Sequence, residues 1–165
     1  MLPEVRVAVD ADADAIGRIM AQATIYWTGL DPEVFVEVDP ARLADHYRAG
    51  KQFPPEVPAE DRCTLVAELD GPVVGFVDVT ISRPGSELDT HRPDVRGWVL
   101  EIAVAESLRG HGVGTRLLAA AEAWARNRGA VWILLDTHPA NVDALRFYQA
   151  RMGYAPVGVR LTKRL

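Results

Sequence analysis

Three glycines at alternate positions constrain this chain more than any other feature. Gly110, Gly112 and Gly114 lie within Leu108-Arg109-Gly110-His111-Gly112-Val113-Gly114-Thr115, between a run that reads as a strand (97–105) and one that reads as a helix (115–128). Glycines let a strand hand over to a helix in a tight turn and leave bare N–H groups facing outward. The helix start adds unpaired N–H groups and the positive end of the helix dipole. Together they make an anion site sized for a phosphate or pyrophosphate. A nucleotide-triphosphate loop would need Gly-Lys-Ser or Gly-Lys-Thr, and this turn holds no lysine. A dinucleotide fingerprint spaces its glycines differently and belongs near the start of a βαβ unit, whereas this turn lies late in the chain.

The remaining chain alternates strands and helices. Residues 5–9 read as a first strand, and the acids Asp10, Asp12 and Asp14 suit a helix start. Ile16, Ile19, Met20 and Ala23 then recur at helical spacing. Asp39-Pro40 has a capping aspartate followed by proline at the first helical position, which opens a second helix through Leu43 and Tyr47 to near Gly50. The prolines of 53–58 exclude regular structure there. The β-rich runs 64–69 and 73–81 flank Asp70-Gly71, a hairpin signal. Residues 84–93 read as a polar loop, 131–135 as a buried strand, and Asn141 as the cap of a helix ending near Gly153. Residues 157–165 read as a last strand. The expectation is a single α/β (α+β) domain over residues 1–165, with a mixed, mostly antiparallel sheet and helices on both faces.

With 165 residues the chain can bury a core without staples. Its net charge of −5 leaves no basic surplus for phosphates along a nucleic acid, so no nucleic-acid partner is expected. No apolar run approaches the roughly 20 residues that span a bilayer, and Met1-Leu2-Pro3-Glu4 has no signal pattern. Cys63 is the only cysteine and reads as a small buried residue. These features suggest a cytoplasmic protein with no membrane partner. His46, His91, His111 and His138 lack ligand spacing, so no metal is expected. Ser82, Ser86 and Ser107 sit in no nucleophile-elbow motif.

One family accommodates these features together. Leu100-Glu101-Ile102-Ala103-Val104, then Arg109-x-x-Gly112-x-Gly114, then Asn141, Ala144, Phe147-Tyr148 and Gly153-Tyr154 follow in order. This pattern resembles the GNAT superfamily of coenzyme A-dependent N-acetyltransferases, most strongly over residues 97–154. The resemblance implies transfer of an acetyl group from acetyl-CoA, as co-substrate, to a primary amine. It implies that the strand before the glycine turn splays from the next strand and pairs with the pantetheine arm through backbone groups of Ile102, Ala103 and Val104. An N–H near Val104 would then polarise the thioester carbonyl. Backbone groups of Gly110, His111, Gly112, Val113, Gly114 and Thr115 would hold the pyrophosphate, with Arg109 or Arg116 adding charge. Asn141 serves as helix cap, as pantetheine contact, or as both. Tyr148 matches the tyrosine that protonates the leaving thiolate; packing in the core is the competing reading.

Two carboxylates compete as the base. Glu101 is the only charged side chain within 98–105, and a charge in a central strand must be paired or face a wet cleft. Asp136 ends the following strand and matches a carboxylate position used by some protein N-acetyltransferases of the superfamily. Bulk water is the third option. For the acceptor, Tyr26 and Trp27 fall where the family builds its pocket, followed by the acids Asp31, Glu33, Glu37 and Asp39; a loop with a hydrophobic anchor and a solvated acidic rim is the competing, slightly favoured reading. His138 lies near the expected acceptor mouth and reads as a solvated loop residue. The partner expected is a small cationic amine, such as a polyamine or an aminoglycoside. The alternatives are a protein N-terminus or lysine, or a catalytically silent CoA-binding sensor, and a homodimer is left open.

Overall fold

A computed structural model describes residues 2–48, 57–85 and 93–158 together with Lys163. The first strand, β1 (Glu4–Val7), leads through a short turn into α1 (Ala13–Leu30). Then come α2 (Pro40–Arg48), β2 (Arg62–Glu68), β3 (Val73–Ser82), β4 (Arg96–Val104), α3 (Val113–Arg126), β5 (Trp132–Leu135) and α4 (Val142–Arg146). A π turn, Phe147–Arg151, continues α4.

The five strands lie in chain order, β1-β2-β3-β4-β5. Every neighbouring pair is antiparallel except β4–β5, which is parallel. The hairpin between β2 and β3 turns where the dipeptide signal places it. Asp70 (φ 53°) and Gly71 (φ 107°) are both left-handed, as a type I′ turn requires. Alternation along the strands sorts the core into two layers. Val77, Val79 and Val99 face α3, where they meet Val113, Leu117, Leu118 and Ala121. Phe76, Val66 and Ala103 face the other way and cover Ile16, Ile19, Met20 and Ala23 of α1. The mixed, mostly antiparallel sheet therefore carries helices on both faces.

Local chemistry accounts for the helix ends. Asp39 Oδ1 accepts from the N–H groups of Ala41 (2.9 Å) and Arg42 (3.2 Å), capping α2. Asn141 Oδ1 accepts from Ala144 N at 3.2 Å and caps α4. The α1–α2 contact is close because Gly17 has no side chain: a Cβ there would lie 2.5 Å from the carbonyl oxygen of Pro40.

Some expectations need amendment. The run 131–135 is not uniformly buried, since Val131 is 65% and Trp132 60% exposed. Among the described residues β5 pairs only with β4, and the Trp132 indole N–H reaches outward to Asp94 Oδ2 at 3.2 Å. The end of the second predicted helix, most of the 84–93 loop with Ser86 and His91, and most of the predicted last strand lie outside the described residues. Cys63 is buried and free, and burial raises its thiol above the usual range.

Candidate active site

The ladder between β4 and β5 is short. It runs from Arg96↔Trp132 to Val99↔Leu135 and stops, while β4 continues five residues further to Val104. Ile102, Ala103 and Val104 remain paired to Val77, Phe76 and Gly75 of β3, so among the described residues their opposite edge has no strand partner. The one long contact there is Arg109 Nε to the Val104 carbonyl at 3.4 Å.

The glycine turn follows directly. Gly110 (φ 80°) and Gly112 (φ 84°) adopt left-handed conformations that a side chain would strain, and Gly112 is the N-cap of α3. The N–H groups of Gly110, Gly112, Val113, Gly114 and Thr115 find no acceptor among the described residues. Five unpaired donors converging at a helix start form the anion cradle that the spacing anticipates. His111 is exposed, with Nδ1 3.0 Å from the Arg109 carbonyl. Phe147 packs against this turn: its ring would lie 3.5 Å from a Cβ placed on Gly114.

A one-residue irregularity in β4 aims the next group. Asp78 pairs with Glu101, but its neighbour Val79 pairs with Val99, which leaves Leu100 as an extra residue. Without this bulge Glu101 would share the Val99 face, against α3. With it, Trp98, Leu100 and Glu101 all line one cleft of about 1000 Å³. Its walls include Arg42, His46 and Tyr47 of α2, and its floor includes Asp78; Asp136, just past β5, is exposed on its rim. Burial, and then the charge of Asp78, push the Glu101 carboxyl up to about 7. Among the described residues nothing donates a hydrogen bond to it.

Tyr148 stands on the π turn, where Met152 N bonds to the Phe147 carbonyl five residues back at 3.1 Å. Its ring packs between Phe147 (centroids 5.2 Å apart) and Tyr154 (6.1 Å). Burial first, and the charge of Glu101 second, raise its phenol to about 12. Its hydroxyl has no hydrogen-bond partner among the described residues. Tyr148 and Glu101 thus lie within electrostatic reach, although 47 positions separate them in the sequence.

Tyr26 and Trp27 stand apart from this cleft. The Tyr26 hydroxyl donates to Asn141 Oδ1 at 3.3 Å, and the Arg109 guanidinium sits 5.5 Å above its ring. Trp27 packs on Phe35 (5.9 Å), which in turn meets the His138 ring edge-on at 5.7 Å. His138 is tied rather than solvated, with Nε2 3.3 Å from Asp31 Oδ2. Neither Tyr26 nor Trp27 lines the cleft. Sequence reasoning passed over Asp78, although the signal that singled out Glu101, a charge inside an apolar strand, applies to it equally. Among the described residues no cluster of three or more His, Cys, Asp or Glu side chains could hold a metal.

Comparison with known proteins agrees with this geometry. The family model described as Acetyltransferase (GNAT) family matches residues 19–154. The chain is 30% identical to the aminoalkylphosphonate N-acetyltransferase of Salmonella typhimurium, over 98% of this chain and 91% of that protein. It is 29% identical to the aminoglycoside N(6')-acetyltransferase type 1 of the same organism, over 76% of this chain and 81% of that one. Among solved structures, AAC(6')-Iy in complex with a bisubstrate analogue of CoA and acetylneamine superposes with a TM-score of 0.68 at 22% identity, covering 100% of this chain and 99% of that one.

Proposed function

Because this chain belongs to the GNAT family of acetyltransferases and is an acetyl-CoA-dependent N-acetyltransferase, we propose that it acetylates a small primary amine held in the cleft between α2 and the β3–β4 floor. The observation that carries this reading is the β4 edge that, among the described residues, β5 leaves open between the glycine turn with its unpaired N–H groups and the cleft lined by Glu101. Both named relatives act on amines, which supports the acceptor class.

The residues present fit the co-substrate. When bound, acetyl-CoA supplies the acetyl group and the thiolate that leaves. The N–H groups of Gly110 and of 112–115, with His111 beside them and Arg109 or Arg116 adding charge, hold the pyrophosphate. The open edge at Ile102, Ala103 and Val104 takes the pantetheine arm, and an N–H near Val104 polarises the thioester carbonyl. Asn141 caps α4 and stands at the same opening. Glu101 takes a proton from the ammonium form of the acceptor, with Asp136 or water as the alternative base. The Tyr148 hydroxyl, without a hydrogen-bond partner among the described residues, gives its proton to the departing sulfur and regains one from the second N–H proton that the amine sheds on becoming an amide, directly or through water. Alignment of the two substrates supplies much of the remaining rate. Tyr26 closes the cofactor side through Arg109 and Asn141, and Trp27 supports the loop that follows α1.

Arg42 and His46 stand one turn apart on α2 along the cleft, and among the described residues neither has a carboxylate partner. Acids on the floor and the Arg42 cation on the wall suit an amine whose body also carries an anion, the class named for the 30% identical relative. A purely cationic amine is the second reading, favoured by Asp78, Glu101 and Asp136, which line the cleft beside the Arg83-paired Asp61. This reading places the enzyme in the cytosol, where a lone thiol such as Cys63 stays reduced.

The test is thiol release from acetyl-CoA with a panel of acceptors: an aminoalkylphosphonate, an aminoglycoside, a polyamine and a peptide with a free N-terminus. The small amines should release thiol, the phosphonate fastest. Release with the peptide alone would replace the small-amine reading. Tight acetyl-CoA binding without release for any acceptor would mark a binding module.

A further inference from the structure

Asp78 lies in the cleft floor beside Glu101, and no step above uses it. It is 6% exposed, so its charge is costly to keep, and an apolar residue would suit this strand position better. Its two oxygens are both engaged. Oδ1 accepts from Thr64 Oγ1 of β2 at 2.6 Å, and Oδ2 accepts from the Tyr47 hydroxyl of α2 at 3.0 Å. Its cross-strand partner is Glu101, brought onto the same face by the bulge at Leu100.

We infer that Asp78 is a positioning residue that acts through Glu101: kept ionised by Thr64 and Tyr47, it sets the proton affinity with which Glu101 works as the base. The inference rests on the reading of Glu101 as the base. Adjacent carboxylates resist ionising together, so the first proton bound by the pair goes to whichever has the weaker support for its charge. Asp78 receives two donated hydrogen bonds and Glu101 none among the described residues, so that proton resides on Glu101. The directions agree, since Glu101 is pushed up to about 7 and Asp78 to about 6, both chiefly by burial. The other groups facing Glu101 are Tyr47, Arg42 and His46 of α2, Tyr148 of the π turn, Asp136 beyond β5, and the Asp61–Arg83 ion pair of the cleft wall. Asp78 is the charge among them that raises Glu101. In turnover the proton leaving the ammonium rests on Glu101 and passes to water as product departs, while Asp78 keeps its charge. The outcome is a base that is half-ionised near neutrality, where proton transfer is most efficient.

The experiment is the pH profile of kcat/KM for the wild type, Asp78→Asn, Tyr47→Phe and Glu101→Gln, with the Tm of each. In Asp78→Asn the acid limb should move to lower pH by about one unit, as removal of a neighbouring like charge requires. Tyr47→Phe should move it the same way by less, because Asp78 with one donor lost protonates more readily and repels Glu101 less. The Phe ring retains its packing on Phe76 (5.4 Å), so this variant decides the matter if Asp78→Asn fails to fold. Glu101→Gln should lose the limb altogether. A limb unmoved in Asp78→Asn and Tyr47→Phe, with only Tm lowered, would make Asp78 purely structural and overturn the inference while leaving Glu101 as the base. A limb that persists in Glu101→Gln would overturn the base assignment, and this inference with it.

Discussion

The Tyr26 hydroxyl lies 3.3 Å from Asn141 Oδ1, so the C-terminal turns of α1 are tied to the cap of α4. The same ring underlies the Arg109 guanidinium. Three segments far apart in the chain therefore meet beside the end of β4, where its pairing with β5 has stopped. A ligand entering that opening would touch all three, which makes ligand-dependent stability an informative measurement.

Acetyl-CoA should raise Tm by mass action, and ATP and NAD should do little. At a hundred times Kd the gain is about 2.7 kcal/mol, which for a chain of this size is roughly 5–10 °C. Gly112→Val should abolish the shift, because it forces a branched side chain into a left-handed conformation at the anion cradle. Differential scanning fluorimetry checks both, and equal stabilisation by all three ligands would remove the CoA assignment.

Tyr148→Phe should lower kcat by about a hundredfold, the low end of general-acid effects. Among the described residues the hydroxyl has no partner to lose, so Tm and acetyl-CoA affinity should stay near the wild-type values. Turnover and Tm measured on one sample separate this outcome from a packing role, which predicts lower stability with normal turnover.

Glu101→Gln should cut turnover at neutral pH and stabilise the fold above it. The folded carboxyl is pushed up to about 7, above its ordinary value near 4.5, so the native state holds a proton that the unfolded chain has released. Wild-type stability from this group is full below the ordinary value and is lost as pH rises through about 7. The variant should therefore melt higher than wild type at pH 8 and nearly level with it at pH 4. Thermal melts across that window decide the point, and parallel curves would show that the carboxyl carries no such linkage.

Arg42→Ala should raise KM about tenfold, roughly 1.4 kcal/mol, for an amine bearing a phosphonate. It should leave KM for an uncharged alkylamine nearly unchanged. Steady-state kinetics on the pair of acceptors reads this directly, and an equal change for both would detach Arg42 from recognition of an anion.

Features set by neighbouring residues were legible in the sequence. The Asp70-Gly71 turn, the Asp39-Pro40 start, the Asn141 cap and the glycine turn each follow from chemistry within a few positions. What was not legible depends on partners far along the chain. Val99, Leu100, Ile102, Ala103 and Val104 are apolar in either phase of alternation, so periodicity could not say which face Glu101 would take or that Leu100 was surplus. The stop of β5 at Leu135 is likewise a property of two strands rather than one. Asp78 was passed over because its meaning depends on Thr64, Tyr47 and Glu101 arriving around it, and the π turn left no mark on a run of ordinary helix formers.

The bulge at Leu100 makes this region answer to chain length as well as to residue identity. Every residue of the site could be retained while the loss of one aliphatic position, chemically inert in itself, turned Glu101 away from the cleft and into the packing beneath α3. Variation here should therefore be read for indels before substitutions. A homologue one residue shorter in β4 could keep the same letters and present a different surface to its acceptor.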